Sequence, residues 1–222
     1  MNSVIRRALP GDREPVAGTV AAAFADDPAW AFMLGAEYGR LAVHFAAALF
    51  DVRIGSQSVW VTDDLAAVAM WDPPGSTDDP AEDVESIWAR YRAIAGKNTL
   101  RRIATYNDAV AAVAPSEAFW YLGVLATRPE RQREGLATAV LAPVLRQADR
   151  LDIACCLETS TPVNRRFYEH RGFTQATAIV LPGGPATWWL RRAPVTAACI
   201  PVLTEKADVA GAGQRHGDSL ST

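Results

Sequence analysis

Cysteine and histidine are scarce in this 222-residue sequence, which contains three of each. Cys155 and Cys156 are adjacent in an apolar run, where a framework of internal disulfides is not expected. Neighbouring residues of a strand point to opposite faces, and His44, His170 and His216 lack the spacing of metal ligands. The sequence therefore predicts a reduced protein without a metal site.

Lysine is scarcer still, since Lys97 and Lys206 are the only two, and the formal net charge is −3. This charge excludes the broad basic field that attracts nucleic acid or an anionic membrane. No run approaches the ~18 apolar residues of a membrane span, and no apolar stretch follows Arg6 and Arg7 as in a secretion signal. We expect a cytoplasmic protein with no nucleic-acid or membrane partner.

Two short catalytic motifs are also missing. There is no Gly-x-Ser-x-Gly elbow, which argues against a serine hydrolase, and no Walker loop, which argues against an NTPase. What remains is the composition of a globular protein, half hydrophobic and about a fifth charged. Residues beyond Pro194 offer few core side chains. We predict one domain over residues 1–193 and a flexible C-terminal tail over 194–222.

Hydrophobic periodicity and turn residues divide the chain into strands and helices. The first half predicts a strand at 4–9, a helix to residue 24 capped by Asp12, an apolar helical region at 30–50, a hairpin over 58–62 and 65–71, and two helices within 81–113. The second half predicts strands at 119–126, 153–159, 173–181 and 187–192, and helices at 135–151 and 162–171. This order is typical of an α/β layer sandwich.

The segment from Gln132 to Ala137 lies between a predicted strand and a long helix. Unpaired N–H groups and the helix dipole make such a helix start a natural phosphate site. Gly135 and Ala137 are small where a pyrophosphate must approach the backbone, and three arginines add positive charge, namely Arg128, Arg131 and Arg133. An ordinary helix start with a nearby glycine explains the same pattern.

Two motifs in sequence resemble those of the GNAT N-acetyltransferase superfamily. Gln132-x-x-Gly135-x-Ala137 is similar to its coenzyme A pyrophosphate loop, and Asn164-x-x-Phe167-Tyr168-x-x-x-Gly172-Phe173 is similar to its second motif. Over residues 1–193 the chain most resembles the puromycin N-acetyltransferase type. The resemblance implies a central mixed, mostly antiparallel sheet of six to seven strands flanked by helices, with two parallel strands that splay apart at the coenzyme site.

The resemblance also implies acetyl-CoA as cosubstrate and assigns residues to it. The main chain of Leu125 and Thr127 would pair with pantetheine. The other expected contacts are Gln132, Arg133, Gly135, Ala137 and Thr138 at the pyrophosphate and Asn164 at the diphosphate or pantetheine arm, although asparagine also suits a helix cap. Gly123 fits a bulge that starts the splay, or a simple packing position.

Direct acetyl transfer needs a base for the amine and an acid for the leaving thiolate. The resemblance makes Tyr168 the acid, although a tyrosine in a helix is more often a core residue. Glu158 is the best candidate base because a carboxylate in an apolar run should have a raised proton affinity, while a salt bridge to an arginine is the alternative.

The acceptor pocket is expected between the first helices. Its candidate polar groups are Asp26, Asp27, Glu37 and Tyr38, and its candidate aromatic walls are Trp30, Phe32, Phe119 and Trp120. Glu134 departs from the family pattern and places a negative charge beside the expected pyrophosphate. If it turns outward, the cost to coenzyme binding is small.

Together these features predict an N-acetyltransferase that acts on a primary amine of a small molecule, with an aminonucleoside antibiotic such as puromycin as one candidate. The alternatives are a protein amine, which a wide acidic cleft would favour, and a non-catalytic acyl-CoA-binding or sensor module. We expect a monomer or a homodimer.

Overall fold

A computed structural model describes residues 3–75 and 82–195. Its strands are β1 (Ile5–Arg7), β2 (Val59–Thr62), β3 (Ala67–Asp72), β4 (Phe119–Thr127), β5 (Ala154–Thr159), β6 (Gln175–Ile179) and β7 (Thr187–Arg192). Its helices are α1 (Arg13–Ala23), α2 (Pro28–Leu34), α3 (Tyr38–Ile54), α4 (Glu82–Ile94), α5 (Lys97–Ala111), α6 (Leu136–Leu151) and α7 (Pro162–Glu169). Most of the tail that the sequence predicts lies outside the described residues, so this prediction stays untested.

The seven strands form one sheet in the order β1-β2-β3-β4-β5-β7-β6. All neighbouring pairs are antiparallel except β4 and β5, which are parallel. One face of the sheet packs against a core that α1 to α5 complete, and the other face packs against α6 and α7. The predicted α/β layer sandwich with a mixed, mostly antiparallel sheet is therefore confirmed.

The parallel strands separate soon after they pair. Only three residue pairs join β4 to β5, ending at Tyr121 and Cys156, whereas β4 continues to Thr127 along β3 and β5 continues to Thr159 along β7. Beyond Tyr121, the β4 edge that faces β5 thus lies outside the parallel pairing. This is the splay that the resemblance implied, and the adjacent backbone edges leave room for an extended ligand.

Gly123 forms the bulge at which the splay begins. On β4, Leu122 pairs with Trp71 and Val124 pairs with Met70, so Gly123 is the extra residue. A Cβ atom at this position would lie 2.6 Å from Nη2 of Arg53, a buried residue of α3. Both predicted roles of this glycine therefore hold, because the bulge turns the strand and the absent side chain admits the guanidinium.

Two details of the first half differ from the prediction. The apolar region 30–50 is not one helix but α2 and α3, which a 3-10 turn at Gly35–Glu37 separates. Gly35 has φ +54°, a conformation that favours glycine, and the chain turns there. Asp12 does not cap α1, because its carboxylate accepts hydrogen bonds from Leu9 N–H at 2.8 Å and from Arg6 at 2.7 Å.

Candidate active site

The loop before α6 presents a row of free backbone donors. Arg133 has φ +68° and Gly135 has φ +82°, so two residues in the left-handed region turn the chain immediately before the helix. Among the described residues, no acceptor pairs with the backbone N–H groups of residues 133–138. Six donors at the positive end of a 16-residue helix form a cradle for an anion.

Glu134 does not turn toward this cradle. Its carboxylate accepts from Nε of Arg131 at 2.9 Å, and Nη1 of Arg131 also reaches Asp64 at 2.6 Å. Asp64 belongs to the turn between β2 and β3. Arg131 is thus held between Asp64 and Glu134, and its contact with Glu134 keeps that carboxylate at the surface. The outward arrangement, in which Glu134 costs the site little, is the one observed.

Arg171 lies beside the same helix start, although sequence reasoning missed it. Its Nε atom donates to Oγ1 of Thr138 at 3.1 Å, and its guanidinium stacks over the ring of Phe167 at 3.5 Å. Burial lowers the pKa of this guanidinium from its ordinary value. Arg171 therefore joins the end of α7 to the first turn of α6 and adds a cation at the cradle.

The open edge of β4 carries main-chain groups that point away from β3. The N–H of Arg128 donates to Ala66 O on the β3 side at 2.8 Å. Peptide groups alternate along a strand, so the N–H and C=O groups of Thr127 and Leu125 face the gap toward β5. Gln132 reaches the same edge, since its Nε2 lies 3.5 Å from Thr127 O.

A cavity of about 520 Å³ runs from this gap into the helical layer. At the gap it is lined by Tyr121, Gly123, Leu125, Glu158, Asn164 and Tyr168. At the helical end it is lined by Asp27 and a wall of aromatic rings, which are Phe24, Trp30, Phe45, Trp88 and Tyr91. A volume of this size suits a small organic ligand.

Glu158 is the carboxylate nearest the splay. The hydroxyl of Tyr121 donates to Oε2 at 2.6 Å, and the hydroxyl of Tyr106 lies 3.4 Å from Oε1. Burial raises the pKa of Glu158 to about 7, and the two tyrosine hydrogen bonds partly oppose this rise. Within the described residues Glu158 has no salt bridge, because Arg53, a nearby cation, pairs with Asp72 at 2.6 Å. The alternative of a structural ion pair is therefore wrong.

Tyr168 lies in the last turn of α7, with its ring against Phe167 and Phe173. The residue lines the cavity, and its hydroxyl makes no hydrogen bond with any described residue. Burial first, and then the charge of Glu158, raise the pKa of this hydroxyl. Tyr168 therefore keeps its proton at neutral pH.

Asn164 does not cap α7, since Thr161 is the capping residue. Oγ1 of Thr161 accepts from Asn164 N–H at 3.2 Å, and the chain enters the helix through Pro162. The Asn164 side chain is exposed and lines the gap end of the cavity. Its amide is thus free for a ligand.

Two of the residues expected in the acceptor pocket, Asp27 and Trp30, line the cavity. The other six do not line it: Asp26, Phe32, Glu37, Tyr38, Phe119 and Trp120. Tyr38, for example, donates its hydroxyl to Ala21 O at 2.7 Å, and Trp120 packs in the core beneath α6. These six are corrected to positions outside the cavity.

Tyr106 and Tyr121 are partners of Glu158 that sequence reasoning missed. The signal for Tyr121 is the pairing register. Tyr121 pairs with Cys156, and Glu158 lies two residues further along the same face of β5. Hydrophobic periodicity alone contains no register between strands that are separated by a helix.

In the described part of the chain, no group of His, Cys, Asp and Glu side chains could hold a metal ion. The same residues contain no helix with the length and hydropathy of a membrane span.

Comparisons with known proteins agree with this geometry. A Schizosaccharomyces pombe protein named an uncharacterized N-acetyltransferase is 23% identical over 188 residues, which cover 79% of this chain and 76% of that protein. The structure of a Corynebacterium glutamicum protein, named histone acetyltransferase HPA2 and related acetyltransferase, matches with a TM-score of 0.60 and 22% identity, covering 88% of this chain and 98% of that one.

The Drosophila melanogaster polyamine N-acetyltransferase structure matches with a TM-score of 0.61 and 12% identity, covering 86% of this chain and all of that one. At these identities the two solved structures show a shared fold. Residues 63–173, half of the chain, match the model of the Acetyltransferase (GNAT) family, and this segment contains the splayed strands, the loop before α6 and Tyr168. The protein therefore belongs to the GNAT acetyltransferase family.

Proposed function

We propose that this protein transfers the acetyl group of acetyl-CoA directly to the primary amine of a small molecule. One observation carries the proposal. A single cavity connects the open edge of β4 with an aromatic wall, and both Glu158 and Tyr168 face it. A coenzyme and an acceptor could therefore meet between a base and an acid without a covalent enzyme intermediate.

The described residues fit coenzyme A. The free N–H groups of residues 133–138 suit the pyrophosphate, with Gln132, Arg133, Gly135, Ala137 and Thr138 as its contacts. The main chain of Leu125 and Thr127 suits the amides of pantetheine, and the free amide of Asn164 suits the same arm. When bound, the coenzyme supplies the acetyl thioester on which the amine acts.

Glu158 would take the proton from the amine. An alkylammonium group is protonated at neutral pH and cannot attack a thioester until it loses a proton. A carboxylate with a pKa of about 7 is ionised in a large part of the molecules at neutral pH and is a far stronger base than an exposed glutamate. Tyr121 and Tyr106 hold the carboxylate in place, since their hydroxyls donate to its two oxygens.

Tyr168 would donate a proton to the leaving sulfur. Its hydroxyl has no partner among the described residues and lines the cavity at the gap end. Burial penalises the charged forms of both the tyrosine hydroxyl and the thiol, so a thiolate that forms in apolar surroundings is strongly basic. The proton can therefore pass from oxygen to sulfur as the thioester bond breaks.

The cavity favours a small molecule over a protein amine. Its helical end is lined by five aromatic rings beside Asp27 and does not form a wide acidic cleft. The Drosophila protein acts on polyamines by its name, which is consistent with a small amine. The antibiotic puromycin remains one candidate on the basis of sequence resemblance. We further propose that the protein acts in the cytoplasm as a monomer or a homodimer.

The experiment is thermal stabilisation by acetyl-CoA, followed by thiol release with a panel of amines that includes puromycin. A ligand that binds only the folded state at a hundred times its Kd adds about 2.7 kcal/mol of stability, which raises the melting temperature. A shift with amine-dependent thiol release supports the transferase. A shift without release for any amine favours an acyl-CoA sensor, and the lack of a shift contradicts the coenzyme assignment.

A further inference from the structure

A second carboxylate, that of Asp27, lines the cavity at its aromatic end. Only one of its oxygens is used in the fold, since Oδ1 accepts from Ala29 N–H at 2.9 Å and from Trp30 N–H at 3.0 Å. Oδ2 has no hydrogen-bond partner among the described residues. The carboxylate thus caps α2 with one oxygen and leaves the other available.

Among the described residues, no cation pairs with this charge. Asp27 forms no salt bridge within the described residues, and the two arginines that line the cavity are paired elsewhere, Arg53 with Asp72 and Arg92 with Glu85. Burial raises the pKa of the Asp27 carboxyl, and its two backbone hydrogen bonds offset only part of the rise. A positive ligand beside Oδ2 would remove this cost.

Aromatic rings line the cavity together with Asp27. The rings of Phe24 and Trp30 have centroids 4.6 Å apart, and the ring of Phe45 lies 5.1 Å from that of Trp30. All three line the same cavity. A carboxylate among aromatic faces is the combination that binds organic cations, through charge attraction and cation–π contact.

Asp27 and Glu158 line the same cavity, one near each end. After burial, these two carboxylates are the leading charges that raise the pKa of the hydroxyls of both Tyr106 and Tyr168. Because both carboxylates line one cavity of about 520 Å³, a ligand whose amine reaches Glu158 can extend toward Asp27. The cavity offers two anionic groups to one acceptor, and the reaction needs only one of them as a base.

We propose that Asp27 binds a second positive charge of the acceptor, so that the preferred substrate is a diamine or a guanidino-amine rather than a monoamine. This inference rests on the proposed function. The amine at Glu158 loses its proton and receives the acetyl group, and the ammonium or guanidinium at Asp27 stays charged. Asp27 is thereby a specificity-determining residue for the length and charge of the acceptor.

The test compares α,ω-diaminoalkanes of four to eight carbons with monoamines of the same carbon number. For the best diamine, we expect kcat/KM at least about tenfold above that of its monoamine, as for other paired charges in partly buried sites. Asp27→Asn removes the charge and keeps a good helix cap. It should raise KM for the diamine at least about tenfold and leave that of the monoamine within about twofold.

The matched control is Asp26→Asn, which removes the neighbouring, exposed carboxylate outside the cavity. It should leave kcat/KM for both substrates unchanged. The inference is overturned, while amine acetylation stands, if the monoamine is as good a substrate as the diamine. It is also overturned if Asp27→Asn lowers kcat/KM equally for the two substrates. Asp27→Ser, which also caps helices, repeats the test should the asparagine variant be unstable.

A binding measurement separates this inference from catalysis. Diamine alone, without coenzyme, should raise the melting temperature of the natural protein and not that of Asp27→Asn. Loss of the shift in the variant supports the cation site even if no thiol is released. Equal shifts in the two proteins, or none in either, contradict it whatever the outcome with acetyl-CoA.

Discussion

At the residue scale, the chemistry of the site depends on opposing effects at Glu158. Burial penalises the ionised carboxylate, whereas a 2.6 Å hydrogen bond from Tyr121 favours it. The balance leaves the pKa at about 7 instead of the ordinary 4.5. Glu158 therefore changes charge near neutral pH, and both activity and stability should report the change.

The pH dependence of kcat/KM should rise with an apparent pKa of about 7, because the base acts in its ionised form. Tyr121→Phe removes a donor to that form and should move the apparent pKa upward by roughly one unit. Tyr106→Phe removes a contact of 3.4 Å and should move it less. Rate profiles between pH 5.5 and 9 test this, and equal profiles for the natural protein and Tyr121→Phe would contradict it.

The free energy of unfolding should change with pH in the direction opposite to kcat/KM. Because the folded pKa of Glu158 lies above the unfolded one, protonation stabilises the folded state below about pH 4.5, and this contribution is lost as the pH rises through 7. Glu158→Gln has no such loss. Relative to the natural protein, it should gain on the order of 3 kcal/mol between pH 4.5 and pH 8 in urea unfolding. A pH-independent difference would show that the carboxyl is not perturbed.

Tyr168→Phe should lower kcat by roughly a hundredfold or more and leave acetyl-CoA binding and melting temperature nearly unchanged. The reason is that its hydroxyl forms no hydrogen bond in the described structure, so the fold loses nothing. Steady-state kinetics and thermal shifts measure both. Tyr38→Phe is the matched control, because the Tyr38 hydroxyl bonds to Ala21 O outside the cavity. Unchanged turnover in Tyr168→Phe would refute the acid role.

At the scale of elements, the anion cradle depends on how the chain enters α6. Gly135 has φ +82°, and no atom lies within 4 Å of a Cβ placed there, so the backbone conformation and not a lack of space favours glycine. The N–H groups of residues 133–138 have no acceptor among the described residues. The cradle is thus a property of the strand, loop and helix together and not of any one side chain.

Gly135→Ala should therefore weaken acetyl-CoA binding at least about tenfold, while destabilising the fold by about 1 kcal/mol through its positive φ. Gly183→Ala is the control, since Gly183 has φ +70° and the same open space, but lies in the turn before β7. It should cost similar stability with no loss of affinity. Calorimetric titration and urea unfolding distinguish the two effects, and equal affinity losses would contradict a local role.

At the scale of the whole molecule, the two faces of the site come from different parts of the chain. The segment from α1 to α4 supplies the aromatic wall and Asp27, and the segment from β4 to α7 supplies the cradle, Glu158 and Tyr168. The pairing of β3 with β4 across more than 45 residues of sequence, and the packing of the first helices against β4, bring them together. Substrate preference and coenzyme binding should accordingly respond to separate sets of substitutions.

A chain that ends at Val195 should keep its melting temperature within about 2 °C and bind acetyl-CoA as the full chain does. The last strand closes at Arg192, which pairs with Asp149 at 2.7 Å, and Val195 N–H donates to the same carboxylate at 2.8 Å. Thermal shifts of the two chains test the predicted domain limit. A loss of more than about 5 °C would place part of the core in residues 196–222.

The sequence by itself determined the elements from residue 119 onward to within a few residues and both family motifs. It also named Glu158 and Tyr168 as the candidate base and acid, and both line the cavity, while their roles stay a prediction. These features are local: a strand or a helix is encoded in periodicity, and a loop that must pass close to a phosphate needs small residues at fixed spacing. The split of residues 30–50 into α2 and α3 was missed because apolar side chains continue on both sides of the turn.

Only the tertiary structure decided which groups meet. Strand register and helix packing join Glu134 and Asp64 through Arg131, and they bring Tyr121 and Tyr106 to Glu158. They also place Asp27, and not Asp26, in the lining of the cavity. Register and packing arise from contacts between segments far apart in sequence, and no local pattern contains them.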